Sequence, residues 1–174
     1  MDNIEKLVAV LKRISQFQKP GKKTLQKIVY LLERKGIDLG FGYSIHYYGP
    51  YSSELDFAVY SLVMQGVLEI IKDGMTHRIS LTENADLLGE DARILFDENQ
   101  LRLIDEIISS FANKSAHDLE VLTTTDYVAQ QIMPNGNPGY KEKIIEGVRK
   151  IKGNKFSLNK IKETITVLEQ NGYF

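Results

Sequence analysis

Apolar residues recur at helical spacing from the start of the chain. Over residues 2–17, Ile4, Leu7, Leu11 and Ile14 share one face, and Pro20-Gly21 stops that helix. A second helix runs from about Lys22 to Lys35, with Leu25, Ile28, Val29 and Leu32 inward and Gly36 ending it. The pattern then changes. Gly40-Phe41-Gly42 reads as a turn, and Tyr43 to Tyr48 is aromatic and β-branched, which predicts a short strand ended by Gly49-Pro50. Ser52 or Ser53 caps a third helix whose buried face is Leu55, Val59, Leu62 and Val63, and Gly66 closes it. Val67 to Ile71 is a strand, Asp73-Gly74 favours a tight hairpin turn with positive φ at Gly74, and Arg78 to Thr82 returns with Ile79 and Leu81 facing the helices. This order predicts a winged helix over residues 1–96: a three-helix core, the hairpin as wing, and the Tyr43–Tyr47 strand paired with the base of the wing.

The remainder reads as helical. Thr82 caps a helix over about 83–95, and Asp97 with Gln100 has capping-box spacing ahead of Leu101, Ile104, Ile108 and Phe111. Ser115 and Asp118 repeat a related pattern, and Thr123-Thr124-Thr125 has weak helix propensity, which predicts a kink. Pro134 to Gly139 is a loop. Two further helices use Ile144, Ile145, Val148 and Ile151, then Leu158, Ile161, Ile165 and Leu168 after a Ser157 cap. The expected fold class is mainly α with a small β-hairpin (α+β): a winged-helix half followed by a C-terminal helical region, 97–174. That region carries too little apolar surface for a large core of its own, so it packs on the first half and is not an independent domain.

Composition narrows the chemistry. A chain of 174 residues, 43% hydrophobic and without cysteine, needs no disulfide or metal to be stable and has no thiolate ligand to offer. The start lacks the basic and apolar regions of a signal peptide, and no apolar run approaches the roughly 20 residues of a membrane span, so a cytoplasmic protein with no membrane contact is expected. Charge is uneven. Residues 1–82 carry 11 Lys/Arg against 8 Asp/Glu, residues 83–134 carry 3 against 11, and residues 135–174 carry 8 against 4. The acidic middle would repel nucleic acid, and its ordinary reading is a solvated helix face.

No catalytic constellation is visible. The histidines, His46, His77 and His117, have no ligand spacing; His46 and His77 meeting across the small sheet would still lack an acidic third ligand. Neither a nucleophile elbow nor a phosphate loop is present, so no enzyme activity, cofactor or metal is expected. For a winged helix on DNA the third helix is poor chemistry, with Glu54 and Asp56 and no Lys or Arg. Candidate nucleic-acid contacts are Lys72, His77 and Arg78 on the wing and Lys22, Lys23 and Lys27 on the second helix; the other reading of these is a solvated face, and weak or no nucleic-acid binding is expected. Strand alternation places Tyr43, Ile45 and Tyr47 inward and Ser44, His46 and Tyr48 outward. His46, Tyr48, Tyr51 and Ser52 are therefore the candidate partner-binding residues, the alternative being that these tyrosines stack against the C-terminal helices.

Four stretches carry a resemblance. Leu25-Gln26-Lys27-Ile28-Val29-Tyr30-Leu31-Leu32 is similar to the L-Q-K-[LI]-x-Y-[LF] helix of the Panacea domain family, the SocA-like antitoxin domain of bacteria, archaea and phages. Tyr48-Gly49-Pro50-Tyr51-Ser52 resembles that family's Y-G-P segment, in the form found in its uncharacterised YwgA-like branch. Asp118-Leu119-Glu120 and Lys152-Gly153-Asn154-Lys155-Phe156 resemble weaker motifs of the same branch. The resemblance implies a non-enzymatic protein-binding module, antitoxin-like or adaptor-like, that neutralises or delivers a partner protein, a toxin or a regulated protein, by direct contact. The alternative is a DNA-binding transcriptional regulator of the winged-helix type.

Overall fold

A computed structural model describes residues 2–88, 91–132 and 138–174. Helices α1 (Asp2–Ile14), α2 (Lys22–Arg34) and α3 (Ser53–Met64) are followed by helices α4 (Ala92–Leu95), α5 (Glu98–Phe111), α6 (Ala116–Ile132), α7 (Tyr140–Lys152) and α8 (Leu158–Gln170). Strands β1 (Ser44–His46) and β2 (Gly49–Tyr51) lie between α2 and α3, and β3 (Leu68–Asp73) and β4 (Thr76–Leu81) follow α3. The chain is mainly helical with two small antiparallel hairpins. No helix among the described residues is long and apolar enough to cross a membrane.

The β3–β4 hairpin forms as expected, but its two turn residues are Gly74 and Met75, one position on from Asp73-Gly74, with Leu68 opposite Leu81 and Asp73 opposite Thr76. Gly74 has φ +60°, the left-handed region that glycine enters at no steric cost. Ile79 is buried against the helices and Leu81 is half-buried. The base of this hairpin does not pair with the Tyr43–Tyr47 strand as expected. Arg78 instead bridges Gly21, and the Ile79 amide donates to the Pro20 carbonyl at 2.8 Å. β1 pairs with β2, Ile45 opposite Pro50 and His46 opposite Gly49, so Gly49-Pro50 is the return strand and not the end of one. Proline, which has no amide to donate, is tolerated because this two-stranded sheet is all edge. His46 and His77 therefore lie on different sheets and do not meet.

α2 is the central element. From Thr24 to Leu32 every residue is buried, because α5, α6 and β2 all pack on it. Polar groups on this helix are thus carried into the interior. The larger core joins Leu7, Leu11 and Ile14 of α1 with α2, α3, the β3–β4 hairpin, α5 and the first part of α6. A smaller core links Val121 and Val128 of α6 with Ile144 and Val148 of α7, then Phe156, Ile161 and Ile165. Ile151 and Leu158, expected inward, are exposed near the facing ends of α7 and α8.

Local capping explains most helix starts. Asp97 and Gln100 make the reciprocal capping box ahead of α5, and Ser157 caps α8. The helix expected over 83–95 is instead a 3₁₀ turn, Glu83–Leu87, and the single turn α4. The Asp91 side chain accepts from the Arg93 amide, which starts a new helix inside the expected one. Gly89 and Glu90 lie outside the described residues, as do residues 134–137 of the loop expected from Pro134 to Gly139. α6 runs as one unbroken helix through the three threonines, which are fully buried, and Thr123 returns its hydroxyl hydrogen to the Leu119 carbonyl at 2.8 Å.

Candidate functional site

The resemblance-bearing stretches are one physical unit. Gln26 of α2 clasps Ser52 with both ends of its amide: Nε2 donates to the Ser52 carbonyl at 2.8 Å and the Ser52 amide donates to Oε1 at 2.9 Å. One residue on, the Lys27 ammonium donates to the Pro50 carbonyl at 2.6 Å. Gly49 has φ +92°, and a Cβ there would sit 2.7 Å from Thr124 Oγ1, so only glycine lets the hairpin lie this close to α6. Tyr30, the tyrosine of the α2 motif, donates to Asp126 Oδ2 at 2.6 Å, and Arg34 Nε reaches the same oxygen at 2.7 Å. Burial first, and the charge of Asp126 second, push the Tyr30 hydroxyl far above its ordinary pKa, so it stays a donor.

The two weaker motifs meet behind the hairpin. Lys152 and Lys155 donate to Glu120 Oε1 at 2.9 and 2.7 Å, and Lys152 also donates to the Tyr47 carbonyl. Burial acts to raise the Glu120 pKa, but hydrogen bonds from the two lysines outweigh it and hold the carboxyl below its usual range. The acidic middle of the sequence is therefore only partly a solvated face, since Glu120 and Asp126 are buried and paired.

In front of the hairpin is a cavity of about 380 Å³. Its α2 side carries Lys22, Lys23, Gln26 and Lys27, and its hairpin side carries His46, Tyr47, Tyr48, Gly49 and Tyr51, with Asp56 of α3 at the rim. Residues expected to serve nucleic acid and residues expected to serve a partner protein thus line the same space. Lys27 is 3% exposed, which corrects its placement on a solvated face. Burial, opposed by Glu120 and reinforced by Lys152, Lys23 and Lys155, presses its ammonium down to about 8. Ser52 is buried too, spent on capping α3 and on Gln26, so it is no surface contact. Tyr47, expected inward, is 78% exposed because it occupies the turn, where strand alternation no longer applies. Tyr43 does point inward, donating to the Gln26 carbonyl at 3.0 Å. Tyr48 is half-exposed beneath the Lys23 ammonium, which lies 3.5 Å from its ring centroid.

The chain is similar to Uncharacterized protein YwgA of Bacillus subtilis (strain 168). The two are 29% identical over 111 residues, a stretch covering 62% of this chain and 64% of YwgA, just under two thirds of that protein. No family model matches the chain. YwgA, as its name states, contributes likeness and no activity.

Lys72, His77 and Arg78 of the β3–β4 hairpin stand apart from this cavity. Arg78 is occupied by Asp73 Oδ2 at 2.9 Å and the Lys19 carbonyl at 3.0 Å, while Lys72 pairs across the hairpin with His77. His77 shares a second cavity, of about 350 Å³, with Lys22 and Lys23. No cluster of three or more metal-ligating side chains occurs among the described residues. One feature escaped the sequence reading altogether. The outer face of α3 presents Phe57, Tyr60 and Met64, 73%, 59% and 71% exposed, opposite the buried Leu55, Val59 and Leu62. The signal was there in a helix apolar on both sides, which a surface helix ordinarily is not.

Proposed function

We propose that this chain is a non-enzymatic, cytoplasmic protein-binding module that grips a partner protein by direct contact, antitoxin-like or adaptor-like. The observation that supports it is the α3 stripe. Phe57, Tyr60 and Met64 stand at positions i, i+3 and i+7 of one helix face with their apolar surface in water. Aromatic residues and methionine are enriched in interface cores, and covering side chains of this size returns about 1.5–3 kcal/mol each. Neutralisation or delivery of the partner is what the Panacea resemblance adds. The DNA-regulator alternative has less support, since α3 offers Glu54 and Asp56 at its N-terminus and no cation to meet phosphate.

The test is a comparison of captured proteins. The wild-type chain and a Phe57→Ser, Tyr60→Ser, Met64→Ser variant are used as bait in extract from the native host, with melting temperatures measured beside them. The variant is expected to melt within about 2 °C of wild type, as exposed positions do, and to lose a partner that wild type retains. Retention of every wild-type partner by the folded variant would refute the reading.

A further inference from the structure

We propose that the cavity between α2 and the β1–β2 hairpin binds a small organic phosphate carrying a flat ring, a ligand of the mononucleotide class. This is separate from the α3 reading and does not rest on it.

Lys22, Lys23 and Lys27 line the cavity, and no ion pair joins any of them to a carboxylate among the described residues. The one acid at the rim, Asp56, forms no ion pair with them either. Lys27 is the telling residue. An ammonium has three hydrogens to donate, and this one, 3% exposed, has a single acceptor in the Pro50 carbonyl. A buried cation held so incompletely is costly unless something else completes it. Glu120, the nearest acid behind it, is already shared by Lys152 and Lys155. Those two, with Lys23, add repulsion at Lys27, and its depressed pKa expresses the deficit. An anion entering the cavity supplies what is missing.

The walls say what else the anion carries. Tyr47, Tyr48 and Tyr51 surround the space with apolar ring surface, and Gln26 stands between the lysines. Its volume of about 380 Å³ lies at the lower end of the range of small-molecule sites, about 300–1,000 Å³. Lysines are point-charge partners of phosphate, and three of them suit a dianion better than a single carboxylate. Tyrosine faces beside them suit a flat ring.

Isothermal titration calorimetry of the full chain tests this with AMP, ribose 5-phosphate, adenosine and a short oligothymidylate. AMP is expected to bind with a Kd below about 100 μM. Ribose 5-phosphate should bind at least about 5-fold more weakly, and adenosine at least about 30-fold more weakly. The double variant Lys22→Ala, Lys23→Ala, both exposed, should lose about 10-fold or more in AMP affinity at unchanged melting temperature. Lys27→Gln should lose more, and the double variant decides the matter if Lys27→Gln fails to fold. Raising the pH from 7 to 9 should weaken AMP binding to wild type by more than it does to Lys27→Gln, because the ammonium is lost near pH 8 and the anion favours keeping it. Absence of AMP binding at millimolar concentration overturns the proposal. So does adenosine matching AMP, AMP binding indifferent to the double variant, or an oligonucleotide that binds where AMP does not.

Discussion

Removing the Asp126 carboxylate tests the buried network most directly. Asp126 is fully buried on α6 and accepts from Tyr30 Oη at 2.6 Å, Arg34 Nε at 2.7 Å and Arg34 Nη2 at 3.3 Å. Asp126→Ala leaves a guanidinium without its counter-ion and a buried hydroxyl without an acceptor. Breaking one side of a buried ion pair costs about 3–5 kcal/mol. The Arg34 side chain is a quarter exposed, so water reaches it and the lower figure applies, about 3 kcal/mol. The orphaned Tyr30 hydroxyl adds about 1 kcal/mol. At a urea dependence near 2 kcal/mol per molar, the midpoint of unfolding should fall by about 2 M. A double-mutant cycle sharpens the test. Tyr30→Phe alone should cost about 1.5 kcal/mol, but should recover up to about 1 kcal/mol once Asp126 is alanine, because it then removes an orphaned hydroxyl. A midpoint shift under about 0.5 M, or additive effects of the two substitutions, would refute the claim that these groups form a closed network.

Gly49→Ala should destabilise by about 2–4 kcal/mol in thermal unfolding, because it combines a left-handed φ with a 2.7 Å approach to Thr124 Oγ1. Asp97→Ala, which removes half of the α5 capping box, should cost about 1 kcal/mol in urea titration. For Lys27 the folded pKa of about 8 lies below the ordinary 10.5, so between these values the unfolded state binds more protons and stability contributed by this group rises with pH. Relative to Lys27→Met, the wild-type chain should therefore gain about 2 kcal/mol between pH 8 and 10 in urea titrations, and a gap that stays flat would contradict the assignment.

The parts of the fold that were legible in the sequence are those decided locally. Gly74 between alternating strands marks its hairpin to within one residue, the turn closing on Gly74-Met75, and the Asp97–Gln100 box specifies a helix start by side chains three residues apart. The β1–β2 hairpin was illegible because Tyr47-Tyr48 has no glycine, asparagine or aspartate at its turn, and Pro50 argues against a strand. What decides it lies elsewhere in the chain: Gln26 and Lys27 holding its carbonyls, and Thr124 behind Gly49. Lys27 looked solvated because helical periodicity predicts one inward face, whereas α2 is covered on every side. The cavity was half legible. Of its basic and aromatic residues only Tyr47 was not picked out as a candidate contact, and Gln26, Gly49 and Asp56 were not either, but nothing local shows that residues 22–27 and 46–51 share a space.

The position of the hairpin has a bearing on when the site comes into being. Tyr47 is tethered by Lys152, Gly49 rests against Thr124, and Glu120 gathers Lys152 and Lys155 behind it. On a ribosome, residues 44–51 emerge with their α2 contacts available but with α6 and α7 still unmade. A nascent chain that ends at Phe111 can form the Gln26–Ser52 clasp and leaves Gly49 without a backing and Lys27 without Glu120. Assembly of the cavity is thus a late event of synthesis, and truncated products carrying every one of its lining residues present those side chains on an unsupported loop.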